Sequence, residues 1–144
     1  MRYIFAVLLL LLLPSCTAQE QPEDSYIPEV ETKLYIDDRE IPVTWENNSA
    51  VGELKQDISE NDITVDMFMY SNNEQVGSLG KSYSSDDKNI TTQCGDIVLY
   101  SSDNIVVFYA PNTWAYTPLG KIQLPDEDVV SLLSDGDVDL RLTQ

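Results

Sequence analysis

GDIVLYSSDNIVVFYAPNTWAYTPLGKI, residues 95–122, is the stretch that decides the fold. It contains two apolar runs, residues 97–100 and 105–109, separated by the polar residues 101–104, and this pattern predicts two strands joined by a hairpin turn. The second run is so apolar that we expect both of its faces to be covered. Residues 119–124 indicate a further strand, so the stretch predicts β-sheet.

The sequence before this stretch predicts a hairpin. Residues 33–36 and 41–45 indicate two strands around a turn at Asp37 and Asp38, and Pro42 marks an unpaired edge or a bulge in the second strand. Further predicted elements are a strand at 63–70, a long loop with a short strand at 71–81, a loop at 84–89, a helix at 125–133 and a closing strand at 137–142.

The clearest helix follows Asn47 and Asn48, either of which can act as its N-cap. Apolar residues then recur at helical spacing and form one stripe. The stripe consists of Ala50, Val51, Leu54 and Ile58. Many short strands with two short helices predict one mainly-β domain, residues 32–144, of barrel or sandwich type.

Residues 1–15 are typical of an export signal. Arg2 provides a positive start, and residues 3–13 form an unbroken apolar run. A helix that spans a bilayer needs roughly 20 apolar residues, so this run has the length of a signal-peptide core. We therefore expect a signal peptide rather than a transmembrane helix.

The leader ends in LPSC, residues 13–16, which resembles a lipobox, with Pro14 as its less usual residue. We expect Cys16 to be lipidated and to anchor the chain in a bacterial cell envelope, facing the periplasm or the exterior, because each buried methylene adds about 0.8 kcal/mol of membrane affinity. The alternative is an ordinary secretory leader cleaved near residues 17–19. The acidic residues 16–31 then predict a flexible tether.

Charge and cysteine content restrict partners and chemistry. The net charge of −17 makes nucleic acid an unfavourable partner, and membrane contact is expected through the lipid anchor alone.

Cys94 has no disulfide partner once Cys16 is acylated. Because the chain has no histidine, Cys94 is predicted to be a structural thiol. The sequence has no phosphate loop, metal-spaced ligand set or nucleophile–base pair, so we predict no catalytic residue, cofactor or metal.

Several motifs together resemble the bacterial cyclophilin-like domain family. They are residues 95–100, 105–109, 112–117 and 119–122, with Trp45-Glu46-Asn47-Asn48 and the segment 74–80 in support. The resemblance covers nearly all of residues 32–142. It implies a closed eight-stranded β-barrel with two short helices, which is the fold we expect.

This chain departs from the family pattern at three places. Pro118 replaces an arginine that could have faced a ligand, Cys94 replaces a proline, and Ile58-Ser59 replaces a leucine–proline pair. The arginine-containing and glutamine-containing segments of true cyclophilins are missing as well. The resemblance therefore implies a fold and does not imply prolyl isomerase activity.

A candidate ligand groove follows from the alternation of Trp114 and Tyr116. With Phe108, Glu74 and Asn112 they would line one face of the barrel, and aromatic walls around one carboxylate suit a peptide or a small molecule. The alternative is that both aromatic residues belong to the core and that Tyr116 makes a local hydrogen bond.

Three acidic clusters are predicted to be structural. Residues 135–139 begin like a calcium loop, but Leu140 stands where the loop needs glycine, so a turn into an edge strand is favoured. Water and a helix dipole account for the carboxylates at residues 86–87 and 126–128.

These observations favour a non-enzymatic binding module for a peptide or small molecule. One alternative is a weak prolyl isomerase, which would need Lys81, Lys121 or Arg39 in the groove. Another is a structural or assembly lipoprotein whose acidic surface meets a basic partner. The oligomeric state does not follow from the sequence.

Overall fold

The computed structural model describes residues 31–144. Their elements are β1 Lys33–Ile36, β2 Arg39–Ile41, β3 Val43–Trp45, α1 Ser49–Glu60, β4 Ile63–Asp66, β5 Phe68–Tyr70, β6 Glu74–Ser78, β7 Lys88–Thr91, β8 Asp96–Tyr100, β9 Asn104–Phe108, β10 Thr113–Ile122, α2 Asp126–Leu133 and β11 Asp139–Thr143. The mainly-β character and the two short helices are confirmed. The predicted leader, Cys16 and the tether up to residue 30 lie outside the described residues and stay predictions.

The predicted closed eight-stranded barrel is wrong, because the described strands form two open antiparallel sheets. The smaller sheet has four strands in the order β2-β1-β11-β4. The larger sheet has seven strands: six follow the order β3-β10-β8-β9-β6-β5, and β7 pairs with β10 outside this path.

Two extended segments pass from one sheet to the other at a single residue, and their ladder partners change there, so the strands are divided between two sheets and do not form one continuous ladder. Pro42 separates β2 from β3 and has no N–H with which to continue a ladder. Met67 separates β4 from β5, and the next inward residue, Met69, donates its backbone N–H to the Asp137 carboxylate at 2.9 Å. The single strand predicted at 63–70 is therefore two strands in two sheets.

Both sheets and both helices contribute to one hydrophobic core. The N-cap of α1 is Asn48, whose Oδ1 accepts a hydrogen bond from the Val51 N–H at 3.0 Å, and the buried stripe of this helix is the predicted one. Core members from the different elements include Leu34, Leu54, Ile97, Ile105, Leu133 and Leu140. Among residues 31–144, neither helix has the length and hydropathy needed to cross a bilayer.

The outer face of the larger sheet bears a second apolar cluster, and this face positions the candidate site. The cluster consists of Val98, Val106, Phe108 and Tyr116, with Val76 and Ile90 packed against it. Residues 105–108 of β9 are buried, so the prediction that this strand is covered on both faces is confirmed. β7 covers part of the outer face, since Ile90 lies opposite Trp114 in the ladder with β10.

Candidate functional site

A groove of about 500 Å³ lies on the outer face of the larger sheet. Phe68 and Tyr70 come from β5 at one side of the sheet, and Trp114 comes from β10 toward the other side. Val106 of the central strand β9 is buried between them and forms part of the floor. The groove follows β9, so one end lies near Asn104 and the other lies near Glu74.

The groove gathers most of the exposed large apolar side chains of the described part of the chain. Four of the five such residues line it: Phe68, Tyr70, Tyr100 and Trp114, which are 50 %, 58 %, 39 % and 60 % exposed. The fifth, Val130, belongs to α2. Scattered exposed apolar residues are ordinary, but a contiguous group on a concave surface is typical of a binding site.

Tight turns bring these side chains together. Ser71 and Asn72 have φ values of 51° and 52°, so the chain turns tightly between β5 and β6. Tyr70 therefore lies opposite Glu74 in this hairpin. Ser101 and Ser102, with φ values of 51° and 66°, make the same kind of turn between β8 and β9. The predicted turn at 101–104 is confirmed.

Glu74 is the charged group of the groove, and its carboxylate has no hydrogen-bond or ion-pair partner within residues 31–144. The side chain is 8 % exposed, and this burial raises the pKa of the carboxyl above its ordinary value. Asn73 lies beside it in the groove lining, and its Oδ1 is buried without a hydrogen-bond donor. The Glu74 carboxylate therefore gives this end of the groove a hydrogen-bond acceptor.

Tyr116 links the floor of the groove to the sheet. Its hydroxyl accepts a hydrogen bond from Asn112 Nδ2 at 2.7 Å. Its ring makes edge-on contacts with Phe108 and Tyr100, at centroid distances of 5.4 Å and 6.0 Å. Burial raises the pKa of Tyr116, and the nearby charge of Glu74 adds to this effect. The residue is thus a buried aromatic with a local hydrogen bond that also borders the groove.

Four of the five predicted groove residues lie together. Glu74, Asn112, Trp114 and Tyr116 line the groove, whereas Phe108 is fully buried beneath Tyr116. That they bind a ligand stays a prediction. The sequence interpretation missed the other eight lining residues, which include the exposed aromatic residues Phe68, Tyr70 and Tyr100.

An isomerase would need one of three cations in the groove, and all three lie elsewhere. Lys81 pairs with Asp57 at 2.7 Å. Lys121 of β10 pairs with Asp96, the first residue of β8, at 3.1 Å. Arg39 belongs to β2 in the smaller sheet.

Cys94 is half-buried, and its Sγ lies 3.6 Å from the Asp126 carbonyl oxygen. Burial raises the pKa of the thiol, and the Asp126 carboxylate adds to this rise, which disfavours the thiolate that a nucleophile requires.

The acidic residue Asp137 has a structural contact. Its carboxylate accepts a hydrogen bond from the Met69 N–H, so it stabilises a loop. Within the described residues, no group of three or more His, Cys, Asp or Glu side chains could hold a metal ion.

Comparison with known proteins supports the resemblance to the cyclophilin-like family that the sequence motifs indicate. The model of the Cyclophilin-like family matches residues 34–143. The fold is similar to that of McbB, solved in complex with tryptophan, with a TM-score of 0.55 and 11% sequence identity. The match covers 79% of this chain and 44% of the McbB chain, so this chain spans less than half the length of McbB. No curated protein matches the sequence.

At 11% identity the likeness to McbB is a likeness of fold alone. The family match covers well over half of the chain and includes both sheets. The protein therefore belongs to the Cyclophilin-like family.

Proposed function

We propose that this protein is a binding module that holds a peptide or a small molecule in the aromatic groove. The observation that carries the proposal is the clustering of four exposed aromatic side chains around one buried carboxylate. Such side chains contribute large contact areas to a ligand and lose little conformational freedom on binding. A groove of about 500 Å³ suits a small molecule or a few residues of a peptide.

Isothermal titration of the purified chain tests the proposal. The ligands are proline-containing peptides, envelope glycans and tryptophan, which is bound in the McbB structure. We expect saturable binding of one class, weakened about ten-fold by Trp114→Ala because an exposed aromatic wall is lost. Val130→Ala, which truncates the exposed apolar side chain on α2, is the matched control and should bind normally. No heat with any class, or equal losses in both variants, would count against the groove.

The other two functions predict different measurements. A weak prolyl isomerase would accelerate a protease-coupled assay at micromolar protein, and buffer-level rates would remove that function. An assembly role for the acidic surface requires a basic partner whose capture is lost at high salt, because screening weakens exposed charge pairs.

We also propose that the chain is a lipoprotein of the bacterial envelope, anchored through Cys16. The lipobox-like residues 13–16 support this proposal. Cells grown with a clickable palmitate analogue should label the wild-type chain and Cys94→Ser, but not Cys16→Ser. Label that persists on Cys16→Ser, or a wild-type chain without label, would contradict lipidation.

A further inference from the structure

The chemical character of the groove restricts the class of ligand, and this inference rests on the binding function proposed above. The lining contains no lysine or arginine. Its charged group is the Glu74 carboxylate, which has no partner within residues 31–144. An unpaired buried acceptor is costly, and a ligand that donates hydrogen bonds would offset this cost.

Two of the three asparagine side-chain amides of the lining donate hydrogen bonds inside the protein. Asn112 Nδ2 donates to the Tyr116 hydroxyl at 2.7 Å, and Asn104 Nδ2 donates to the Asp103 carboxylate at 2.6 Å. These two amides are therefore less available to an incoming anion. It would also approach Glu74 and a chain with a net charge of −17.

The aromatic walls favour a cation for an independent reason. Ring faces carry a partial negative charge and attract ammonium and guanidinium groups, most strongly at tryptophan. Trp114, Tyr70 and Phe68 stand on the two sides of the groove, and Tyr70 lies opposite Glu74 in the β5–β6 ladder. A positive group near Glu74 would thus contact the carboxylate and a ring together.

We infer that the groove takes a ligand with a protonated amine on an apolar body, with the ammonium at Glu74 and the apolar part between Trp114 and Phe68. The amine has two possible sources, a free arylalkylamine or a lysine side chain of a peptide. Both offer the same chemistry to the groove. An uncharged or anionic analogue of the same shape lacks the contact with Glu74.

The experiment compares matched probes by NMR titration, following the Trp114 side-chain N–H as a reporter of the groove. The small-molecule probes are 2-phenylethylamine, 2-phenylethanol and 3-phenylpropionate, which share a ring and differ in charge. The peptide probes are acetyl-Gly-Lys-Phe-Gly-amide and its glutamine counterpart, which differ in one positive charge. The full chain is titrated as wild type, as Glu74→Gln and as Glu60→Gln, an exposed carboxylate at the end of α1.

We expect the cation to bind about ten-fold more tightly than its uncharged match in at least one of the two probe sets, since one charge-assisted contact with a ring contact contributes that much. The preference should disappear in Glu74→Gln and persist in Glu60→Gln, which changes the net charge equally. The set that shows the preference identifies the source of the amine.

Two outcomes would overturn the inference, and they separate it from the proposed function. If the uncharged or anionic probes shift the Trp114 signal with equal affinity, the groove binds ligands without selecting a cation, and the inference alone fails. If no probe shifts this signal, both the inference and the binding function lose their support. The wild-type comparison stands even if Glu74→Gln does not fold.

Discussion

Among single residues, Glu74 makes stability depend on pH with a definite sign. Burial raises the pKa of its carboxyl above the ordinary 4.5, so the folded chain holds this proton more tightly than the unfolded chain. The folded state therefore has no penalty from Glu74 at pH values below 4.5. It loses stability as the pH rises from there through the folded pKa, because the buried carboxylate then ionises without a partner in the described part of the chain.

We expect Glu74→Gln to stabilise the ligand-free protein at neutral pH, by on the order of 1 kcal/mol, because an unpaired buried charge is removed. The gain should shrink to nothing as the pH falls below 4.5, where wild-type Glu74 is protonated. Thermal unfolding at a series of pH values measures this difference. Glu60→Gln serves as the exposed control and should show no such trend, and a lower melting temperature for Glu74→Gln at neutral pH would contradict the prediction.

The sequence predicts some residues of the groove and misses others for a physical reason. Trp114 and Tyr116 share a face because alternate residues of one strand point the same way, and this period is local. Phe68 and Tyr70 also alternate away from the buried Met67. Their place beside Trp114 depends on the strand order of the larger sheet, which is non-local and cannot be derived from periodicity.

Among the elements, the crossing of β4 over β6 explains how the two sheets pack. Gly77 of β6 lies so close to β4 that a Cβ atom there would overlap Val65 Cγ1 and would meet Met67 Sδ at 2.7 Å and the Asp66 carbonyl oxygen at 2.8 Å. The strand β4 can approach β6 at this point because glycine has no side chain. The close contact joins the two sheets without a ladder between them.

Gly77→Ala should destabilise the protein by about 1–3 kcal/mol, because the added methyl overpacks the crossing and one of its neighbours is backbone. Gly52→Ala is the matched control: no atom lies within 4 Å of its Cβ position on α1, and alanine is the better helix former by roughly 0.5–1 kcal/mol. Urea unfolding measures both variants. Equal stability of Gly77→Ala and wild type would show that the crossing tolerates a side chain.

The elements also show where sequence patterns reach their limit. The helix α1 follows from a capping residue and one apolar stripe, which are both local signals, and its Asn48 cap and buried face agree with the prediction. The prediction of a closed barrel is wrong, because the alternating pattern of residues 63–70 continues through Met67 and gives no sign that the hydrogen-bond partners change there. Pro42 predicts an unpaired edge or a bulge within one strand, and neither feature reveals that the residues after it join another sheet.

In the described molecule, the two open sheets are held together by one core and by contacts between their strands. The hydrophobic core draws residues from β1 and β11 of the smaller sheet and from β8 and β9 of the larger sheet. Trp45 of β3 donates its indole N–H to the Thr32 carbonyl oxygen at 2.9 Å, so it joins the larger sheet to the segment that enters the smaller one. Neither sheet buries its inner face without the other.

We therefore expect the two sheets to unfold in one cooperative transition, because separating them would expose the shared core. The variant Trp114→Phe removes the exposed tryptophan of the groove and leaves Trp45 at the junction as the single tryptophan. Its fluorescence and the far-UV circular dichroism, which reports all strands, should give the same urea midpoint and the same slope. Two separated transitions would mean that one sheet persists after the junction opens, which contradicts a core shared by both sheets.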